Sequence, residues 1–261
     1  MIRDIERRMD LWPRLSSFLV VSLLCGQVWV GAAPAREVTE TPTEQAYDTA
    51  KTNYQANPAN PAVACKFASA CFDRADNDAR DSVRADVAWE GVQTCRELLR
   101  RNPNLAAAHY YLGMNLAEVA RTKKLGALHL LREMEKEWKT AIALDGHCDF
   151  AGPDRNLGLL YRDAPGWPLS IGSRPRALQH ILRAVELDPE YPENHLNLIE
   201  TRLKWDQTDE ARSEAKKWLA LLPSERKRFS GAEWQSDWLD WNQRAAKIWG
   251  RFGPGMDGGR F

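Results

Sequence analysis

The sequence has no surplus of charge of either sign, because 36 Lys and Arg residues balance 36 Asp and Glu residues over 261 positions. A protein that binds nucleic acid through the phosphate backbone needs a concentration of positive charge. The balance therefore argues against a nucleic-acid partner, and it gives no reason to expect a strongly acidic one. The hydrophobic fraction of 44% is high enough for a folded core.

The sequence also lacks the short motifs that mark common catalytic and cofactor sites. It contains no Gly-x-Ser-x-Gly, no His-Glu-x-x-His, no P-loop and no glycine-rich dinucleotide motif. It contains no Cys-x-x-Cys, and the adjacent pair His147-Cys148 has no partners at metal-ligand spacing. We therefore predict a protein that is not an enzyme and that uses neither a metal nor another cofactor. An enzyme would need a convergent cluster around His147, Cys148 and Asp149.

Long apolar runs are scarce, and the one that stands out is Leu15 to Val30, preceded by Arg14 and followed by Ala33-Pro34-Ala35. This order of a basic residue, an apolar core and a small-x-small site is typical of a secretory signal. We expect residues 1–35 to be removed and the mature chain to be periplasmic or secreted, without a stable membrane span. An uncleaved anchor is the alternative, although the run is short for one. Met9, rather than Met1, could be the start.

Helical periodicity dominates the remaining chain, and it is clearest from Arg176 to Pro189. Ala177, Ile181 and Ala184 fall on one face at i, i+4 and i+7, and Pro189 ends the helix. Small residues on that face allow a neighbouring helix to approach closely. His109 and His195 occupy equivalent positions in two other helices, four residues before Gly113 and Ile199, and we interpret both as packed core side chains.

Helix-ending residues recur at nearly even intervals, at Pro58, Pro103, Gly146, Pro189 and Pro223. The last interval equals the tetratricopeptide period of roughly 34 residues, and the others exceed it by an insert. The pairs Leu112-Gly113 and Leu157-Gly158, with Tyr161, occupy the positions where this repeat has Leu, Gly and Tyr. With these residues, the chain resembles the tetratricopeptide repeat (TPR) family over residues 43–223. Ala68 and Ile199 replace the glycine in two repeats.

The resemblance implies an all-α solenoid of antiparallel helix pairs with inserts and a C-terminal capping helix. The predicted divisions are a signal peptide (1–35), a linker with an N-terminal half-repeat helix (36–60), the repeats (61–223), a Trp-rich cap (224–252) and a flexible tail (253–261). Trp234, Trp238 and Trp241 share one face of the cap. An interfacial membrane helix is the alternative for this segment, but its acidic residues disfavour it.

In TPR arrays the first helices of each pair line a concave groove that binds segments of other proteins. Carried over by position, the groove residues are the following: Tyr110, Met114, Glu118, Arg155, Arg162, Asp163, Leu196, Glu200 and Lys204. Their mixed charges suggest a partner segment that carries both signs. The competing interpretation is that each is an ordinary solvated position.

The insert from Ala164 to Gly172 interrupts a helix pair, because it holds two Pro and two Gly residues. Trp167 lies between Gly166 and Pro168 and could anchor a partner. We favour the alternative that Trp167 packs into the helices and fixes the loop, because an exposed Trp is a liability.

Four cysteines follow the predicted signal, and an oxidising compartment would allow two disulfides. On the repeat alignment, Cys71 and Cys95 lie on facing helices of one unit, so they are the preferred pair. Four buried free thiols are the alternative.

The predicted function is non-catalytic: binding a protein or peptide, or scaffolding an assembly of the cell envelope. The layout of an exported TPR protein with inserts is similar to the periplasmic T component of some TRAP transporters. The alternative function is therefore a solute-binding accessory subunit with a transporter component as its partner. It would require an enclosed apolar cavity in place of an open groove.

Overall fold

The computed structural model describes residues 41–123 and 126–252, and every regular element in these ranges is helical. The helices are α1 (Pro42–Ala56), α2 (Pro61–Asp76), α3 (Asp81–Arg101), α4 (Ala106–Arg121), α5 (Leu128–Leu144), α6 (Gly152–Asp163), α7 (Arg174–Leu187), α8 (Pro192–Lys204), α9 (Thr208–Arg228), a 3-10 turn (Ala232–Trp234) and α10 (Gln235–Phe252). The predicted signal peptide and C-terminal tail lie outside the described residues.

Helix starts follow local sequence signals. At α1 the Thr41 hydroxyl accepts from the Glu44 N–H (3.3 Å), while the Glu44 carboxylate accepts from the Thr41 N–H (2.8 Å). This reciprocal capping satisfies donors that a helix start leaves free. Pro occupies an early position of α1, α2, α6, α7 and α8, where its missing N–H costs no helical hydrogen bond.

The helices form four antiparallel pairs: α2 with α3, α4 with α5, α6 with α7, and α8 with α9. Helix α1 packs on α2 before the first pair, and α10 packs on α8 after the last. The predicted all-α, TPR-like solenoid with inserts and a capping helix is confirmed. Among the described residues no helix combines the length and apolarity that a bilayer crossing needs.

The Leu-Gly positions bring the helices of a pair together, as predicted. A Cβ on Gly113 would lie 2.3 Å from Nε1 of Trp138, and that nitrogen donates to the Tyr110 carbonyl (3.2 Å). A Cβ on Gly158 would lie 2.5 Å from Cγ1 of Ile181. Both contacts need a residue without a side chain.

The cap completes the last part of the core. Trp241, Ala245 and Ile248 of α10 are buried in one cluster with Leu196 and Ile199 of α8. The capping role is therefore confirmed, and the interfacial alternative is wrong because this apolar face is covered by protein.

The helix end predicted at Pro223 is wrong, because α9 continues through it to Arg228. Pro223 is exposed, and beyond it Glu225 and Phe229 are buried on the same side of the helix as Leu222. This burial offsets the hydrogen bond that the proline cannot donate. The turn to the cap comes later, at Gly231, whose φ of 124° suits glycine.

Candidate binding surface

The inner layer of the solenoid is buried in part and open to solvent in part. In α6 every residue from Gly152 to Tyr161 is buried, and α8 is nearly as enclosed. Arg244 of α10 covers α8, donating to the Glu200 carboxylate (2.9 Å) and to Oδ1 of Asn197 (2.6 Å). The open part holds the exposed or partly exposed side chains of Asp73 in α2, Tyr111 in α4, Asp149 and Phe150 in the 145–151 segment, Trp234, and Asp237 in α10. We call this part the inner surface.

Three consecutive residues of the inner surface, Asp149, Phe150 and Ala151, have left-handed backbones with φ of 50°, 53° and 59°. Each such residue costs about 1–3 kcal/mol unless its surroundings hold it in place. Arg155 and Asn194 supply that support, since Nη1 of Arg155 and Nδ2 of Asn194 each donate to the Phe150 carbonyl (3.1 Å). Backbone strain of this kind is typical of binding sites.

Two buried side chains hold the Asp149 carboxylate in place. Tyr110 Oη donates to Asp149 Oδ2 (2.6 Å), and Arg155 Nη2 donates to the same oxygen (3.1 Å). Burial raises the pKa of the Tyr110 hydroxyl, and the nearby Asp149 charge raises it further. Tyr110 therefore stays protonated and acts as a donor.

Carboxylates from distant parts of the chain share this surface. The surrounding protein raises the pKa of Asp73 to about 7, and the like charges of Asp237, Asp76 and Asp149 add to the effect. The pKa of Asp237 is raised to about 6. Burial is the largest cause, and the negative charges of Glu193, Asp240 and Asp149 add to it. The Asp73 side chain still reaches solvent. Asp73 and Asp237 form no ion pair with any cation of residues 41–123 or 126–252.

Aromatic rings adjoin these carboxylates. Phe150 stacks on Tyr191 with the ring centroids 4.5 Å apart, and Trp234 meets Phe150 edge-on at 6.0 Å. Tyr111, Phe150 and Trp234 are each only partly buried. The inner surface thus combines apolar contact area with negative charge.

The nine predicted groove residues differ in how far the structure exposes them. Tyr110, Glu118, Arg155 and Leu196 are buried; Met114, Arg162, Asp163 and Glu200 are partly buried; Lys204 is exposed. Tyr110 and Arg155 meet at Asp149, whereas Lys204 Nζ and Arg162 both contact the Asp163 carboxylate at the ends of α8 and α6. The buried members offer little surface because the inner layer curves tightly. Their role in binding stays a prediction.

The sequence interpretation missed Asp73, Asp149, Phe150 and Asp237. Asp149 and Phe150 follow a helix end and carry no periodicity, so no sequence pattern marked them. Asp73 lies on α2 and Asp237 on α10, far apart in the sequence, and the charge of Asp237 contributes to the raised pKa of Asp73.

Histidine–carboxylate pairs join the two helices of three repeats. His109 Nδ1 lies 2.6 Å from Glu137, His195 Nδ1 lies 2.5 Å from Glu214, and His180 Nδ1 lies 2.6 Å from Asp154. The third pair is reversed, with the acid on the first helix. His109 and His195 are packed between helices, as predicted. Within residues 41–123 and 126–252, no three His, Cys, Asp or Glu side chains converge as metal ligands would.

Trp167 does not pack into the helices, and the preferred prediction for it is wrong. Its side chain is 88% exposed, and the loop is fixed by its own backbone hydrogen bonds instead. An anchoring role for Trp167 stays a prediction.

The disulfide predicted between Cys71 and Cys95 is not formed in the structure. Both side chains are buried and carry free thiols, as do Cys65 and Cys148. Burial raises the pKa of Cys65 to about 11 and that of Cys71 still further, so these thiols are poor nucleophiles.

A hollow of about 1030 Å³ is lined mainly by residues of α1, α3 and α5, with His109 and Leu112 of α4. Its charges are already paired: Lys51 with Glu90 (2.8 Å), and Arg96 with Glu133 (2.6 Å). The inner surface, whose carboxylates repel one another, has more to gain from a charged partner. We therefore take it as the candidate site.

No family model matches the chain, and no curated protein matches it. Among solved structures, the chain is similar to the crystal structure of MamA, with 17% identity, a TM-score of 0.48, and 71% of this chain and 91% of that chain covered. A crystal structure titled MamA protein gives 17% identity, a TM-score of 0.46, and 73% and 87% covered. Neither resemblance is close enough to assign a family or an activity.

Proposed function

We propose that this chain is a non-catalytic binding protein of the TPR type, which holds a segment of a partner protein on the inner surface. The observation that carries the proposal is the strained turn at Asp149, Phe150 and Ala151. Three left-handed residues cost backbone strain, and the turn leaves the Asp149 carboxylate exposed and the Phe150 ring partly exposed on the open side of the solenoid.

The chemistry of the surface favours a segment with basic and apolar residues. Burial, and then the like charges nearby, raise the pKa values of Asp73 and Asp237, and a Lys or Arg side chain beside these carboxylates would offset both effects. The same cation can lie over the partly exposed rings of Phe150 or Trp234, a contact that adds attraction. This partner differs from the segment of mixed charge that the predicted groove residues suggested.

We place this binding in the cell envelope, on the strength of the secretory pattern of residues 1–35 and the resemblance to exported TPR proteins. A solute-binding accessory of a TRAP-type transporter remains the alternative. It requires an enclosed apolar cavity, and the inner surface is open and charged. The partner-protein function is therefore the one that the geometry supports better.

The experiment is a binding titration of the full chain with fluorescent peptides that contain alternating Lys and Leu, or alternating Glu and Leu. The Lys peptide should bind and the Glu peptide should not. Asp73→Asn with Asp237→Asn should weaken Lys-peptide binding by about tenfold, because charge pairs at an interface contribute about 1.5 kcal/mol or more. Asp209→Asn, an exposed position on α9, is the matched control.

Affinity should also fall between about pH 7 and pH 5, because Asp73 and Asp237 gain protons in that range. Equal binding of both peptides, or an unchanged affinity in the double variant, would refute the proposal.

A further inference from the structure

Both ring nitrogens of His109 contact acceptor oxygens. Nδ1 lies 2.6 Å from Oε2 of Glu137, on the second helix of the same pair. Nε2 lies 2.9 Å from the carbonyl oxygen of Pro103, in the connection that leads from α3 into α4. The ring therefore links three parts of the chain: the connection before its own helix, α4 itself, and α5.

His195 repeats this arrangement with shorter contacts. Nδ1 lies 2.5 Å from Oε1 of Glu214 on α9, and Nε2 lies 2.6 Å from the carbonyl oxygen of Pro189, in the connection from α7 to α8. The proline precedes the histidine by six residues in both repeats. The His195 side chain is buried, so water has little access to replace either partner.

Two acceptors at one ring require two donors. A neutral imidazole carries a proton on one nitrogen only, and its other nitrogen would direct a lone pair at an oxygen lone pair. A carbonyl oxygen has no proton to give. Imidazole is a stronger base than a carboxylate, so a proton shared between His and Glu resides on the ring. The imidazolium ion, which donates from both nitrogens, is the form that satisfies all four contacts.

The Glu214 carboxylate is in the ionised form that this arrangement needs. Burial by itself raises the pKa of Glu214, but hydrogen bonds from His195 and Lys217 outweigh burial and hold that pKa below its usual range. Lys217 Nζ lies 2.9 Å from the Glu214 carboxylate, and Lys136 Nζ lies 3.3 Å from that of Glu137. Each histidine thus shares its carboxylate with a lysine of the second helix.

Other charged groups near the two rings are paired among themselves. Glu97 and Arg100 line the same hollow as His109, and two acids flank Pro189. The ion pairs are the following: Glu97 with Arg100 and Arg101, Asp188 with His147, and Glu190 with Arg228. Within the described chain, each ring therefore has one carboxylate at ion-pair distance.

The repeat of α6 and α7 shows what replaces this arrangement. Asp154 holds the equivalent place in α6, and His180 faces it from α7 through Nδ1 (2.6 Å). A carboxylate cannot donate to a carbonyl oxygen. The connection before α6 is the strained turn, and its Phe150 carbonyl accepts from Arg155 and Asn194 instead. In that repeat a permanent cation, Arg155, helps to fix the connection before its own helix.

We propose that His109 and His195 are imidazolium ions in the folded protein and that they form a pH-sensitive link between consecutive helix pairs. When the second proton leaves, the remaining N–H serves the charged carboxylate, which is the stronger acceptor, and Nε2 then repels the proline carbonyl. The connections before α4 and α8 loosen, while each histidine still joins its own two helices. The link does not depend on the function proposed for the inner surface.

The test is NMR of the full chain labelled with ¹⁵N-histidine, in which long-range ¹H–¹⁵N spectra show whether each ring nitrogen carries a proton. His109→Gln and His195→Gln assign the signals, and His129, exposed on α5, is the internal control. At about pH 8, where an ordinary imidazole is neutral, both nitrogens of residues 109 and 195 should carry protons. An unprotonated nitrogen in either ring at this pH would overturn the proposal.

A second measurement tests the link itself. Urea unfolding compares the unmodified chain with the double variant His109→Gln and His195→Gln, because Gln keeps a donor but does not titrate. The effects of Asp73 and Asp237 are the same in both chains and cancel. The double variant should lose its disadvantage as the pH rises, with the ratio of the two unfolding constants falling at least about tenfold between about pH 6 and pH 9. His129→Gln, the control, should show no such change. A ratio for the double variant that is independent of pH would refute the link.

Discussion

Glycine has two different roles in these helices, and Gly158 and Gly250 illustrate them. Gly158 is buried in α6 against Ile181 and the Ala177 carbonyl, whereas nothing lies within 4 Å of a Cβ on Gly250 in α10. The same substitution should therefore act in opposite directions at the two sites. One glycine is required by packing, and the other only weakens a helix.

We expect Gly158→Ala to lower the free energy of unfolding by about 1–3 kcal/mol, because the added methyl group overpacks the interface of α6 and α7. Gly250→Ala should raise it by up to about 1 kcal/mol, the difference in helix propensity. Urea unfolding monitored by circular dichroism measures both. If Gly158→Ala is as stable as the unmodified chain, the close approach of the two helices is not as tight as the structure shows.

At the scale of the elements, the buried pair of His195 and Glu214 connects α8 to α9 in one orientation, while Asp154 and His180 connect α6 to α7 in the other. The repeat therefore tolerates either arrangement, provided that one member is an acid and the other a histidine. His195 Nε2 has a further contact, with the Pro189 carbonyl at 2.6 Å.

This equivalence predicts the result of exchanging the pair. His195→Asp alone places two carboxylates together in the core and should cost about 3–5 kcal/mol of stability. Adding Glu214→His should restore more than half of that loss. The remainder, about 1–2 kcal/mol, reflects the hydrogen bond to Pro189 that the exchange removes. Thermal unfolding of the two variants decides the matter: a double variant no more stable than the single one would contradict it.

The helix pairs were predictable because their signals are local. Ala177, Ile181 and Ala184 mark a buried face by spacing alone, and a proline marks the end of α1, α3 and α7. Pro223 was misread because burial of Phe229 further along the chain decides where α9 stops. Trp167 was misread because sequence carries no sign that the loop closes on its own backbone hydrogen bonds.

At the scale of the molecule, the inner surface collects acids from opposite ends of the described chain. Asp73 belongs to α2 and Asp237 to α10. Burial and nearby negative charges raise the pKa of each carboxyl group. Sequence spacing could not predict this, because the distance between the two residues depends on the curvature summed over every repeat. For the same reason, the face of α6 that counting assigned to the groove is buried.

The raised pKa values make stability depend on pH. An unfolded Asp loses its proton near pH 4, whereas Asp73 and Asp237 keep theirs to about 7 and 6 in the folded chain. The folded state thus binds more protons between these limits, and its stability falls as the pH rises through them. Below about pH 4 both states are protonated and the penalty vanishes.

We expect Asp73→Asn with Asp237→Asn to stabilise the chain at about pH 8, and to have little effect below about pH 4. The gain should be about 1 kcal/mol or less, because Asp73 is exposed and water screens its charge. Urea unfolding across this range measures it, with Asp209→Asn as the control, since Asp209 is almost fully exposed beside Arg212. A gain that is independent of pH would show that charge repulsion is not its cause.

The burial of every residue from Gly152 to Tyr161 in α6 limits how the array can move. A solenoid whose inner layer is solvated can change its curvature and adapt to the partner that it binds. Here α6, in the middle of the array, contacts α4 on one side and α8 on the other. The curvature is therefore fixed before a partner binds, so binding costs little conformational entropy. Selectivity then depends on the shape and charge of the partner segment.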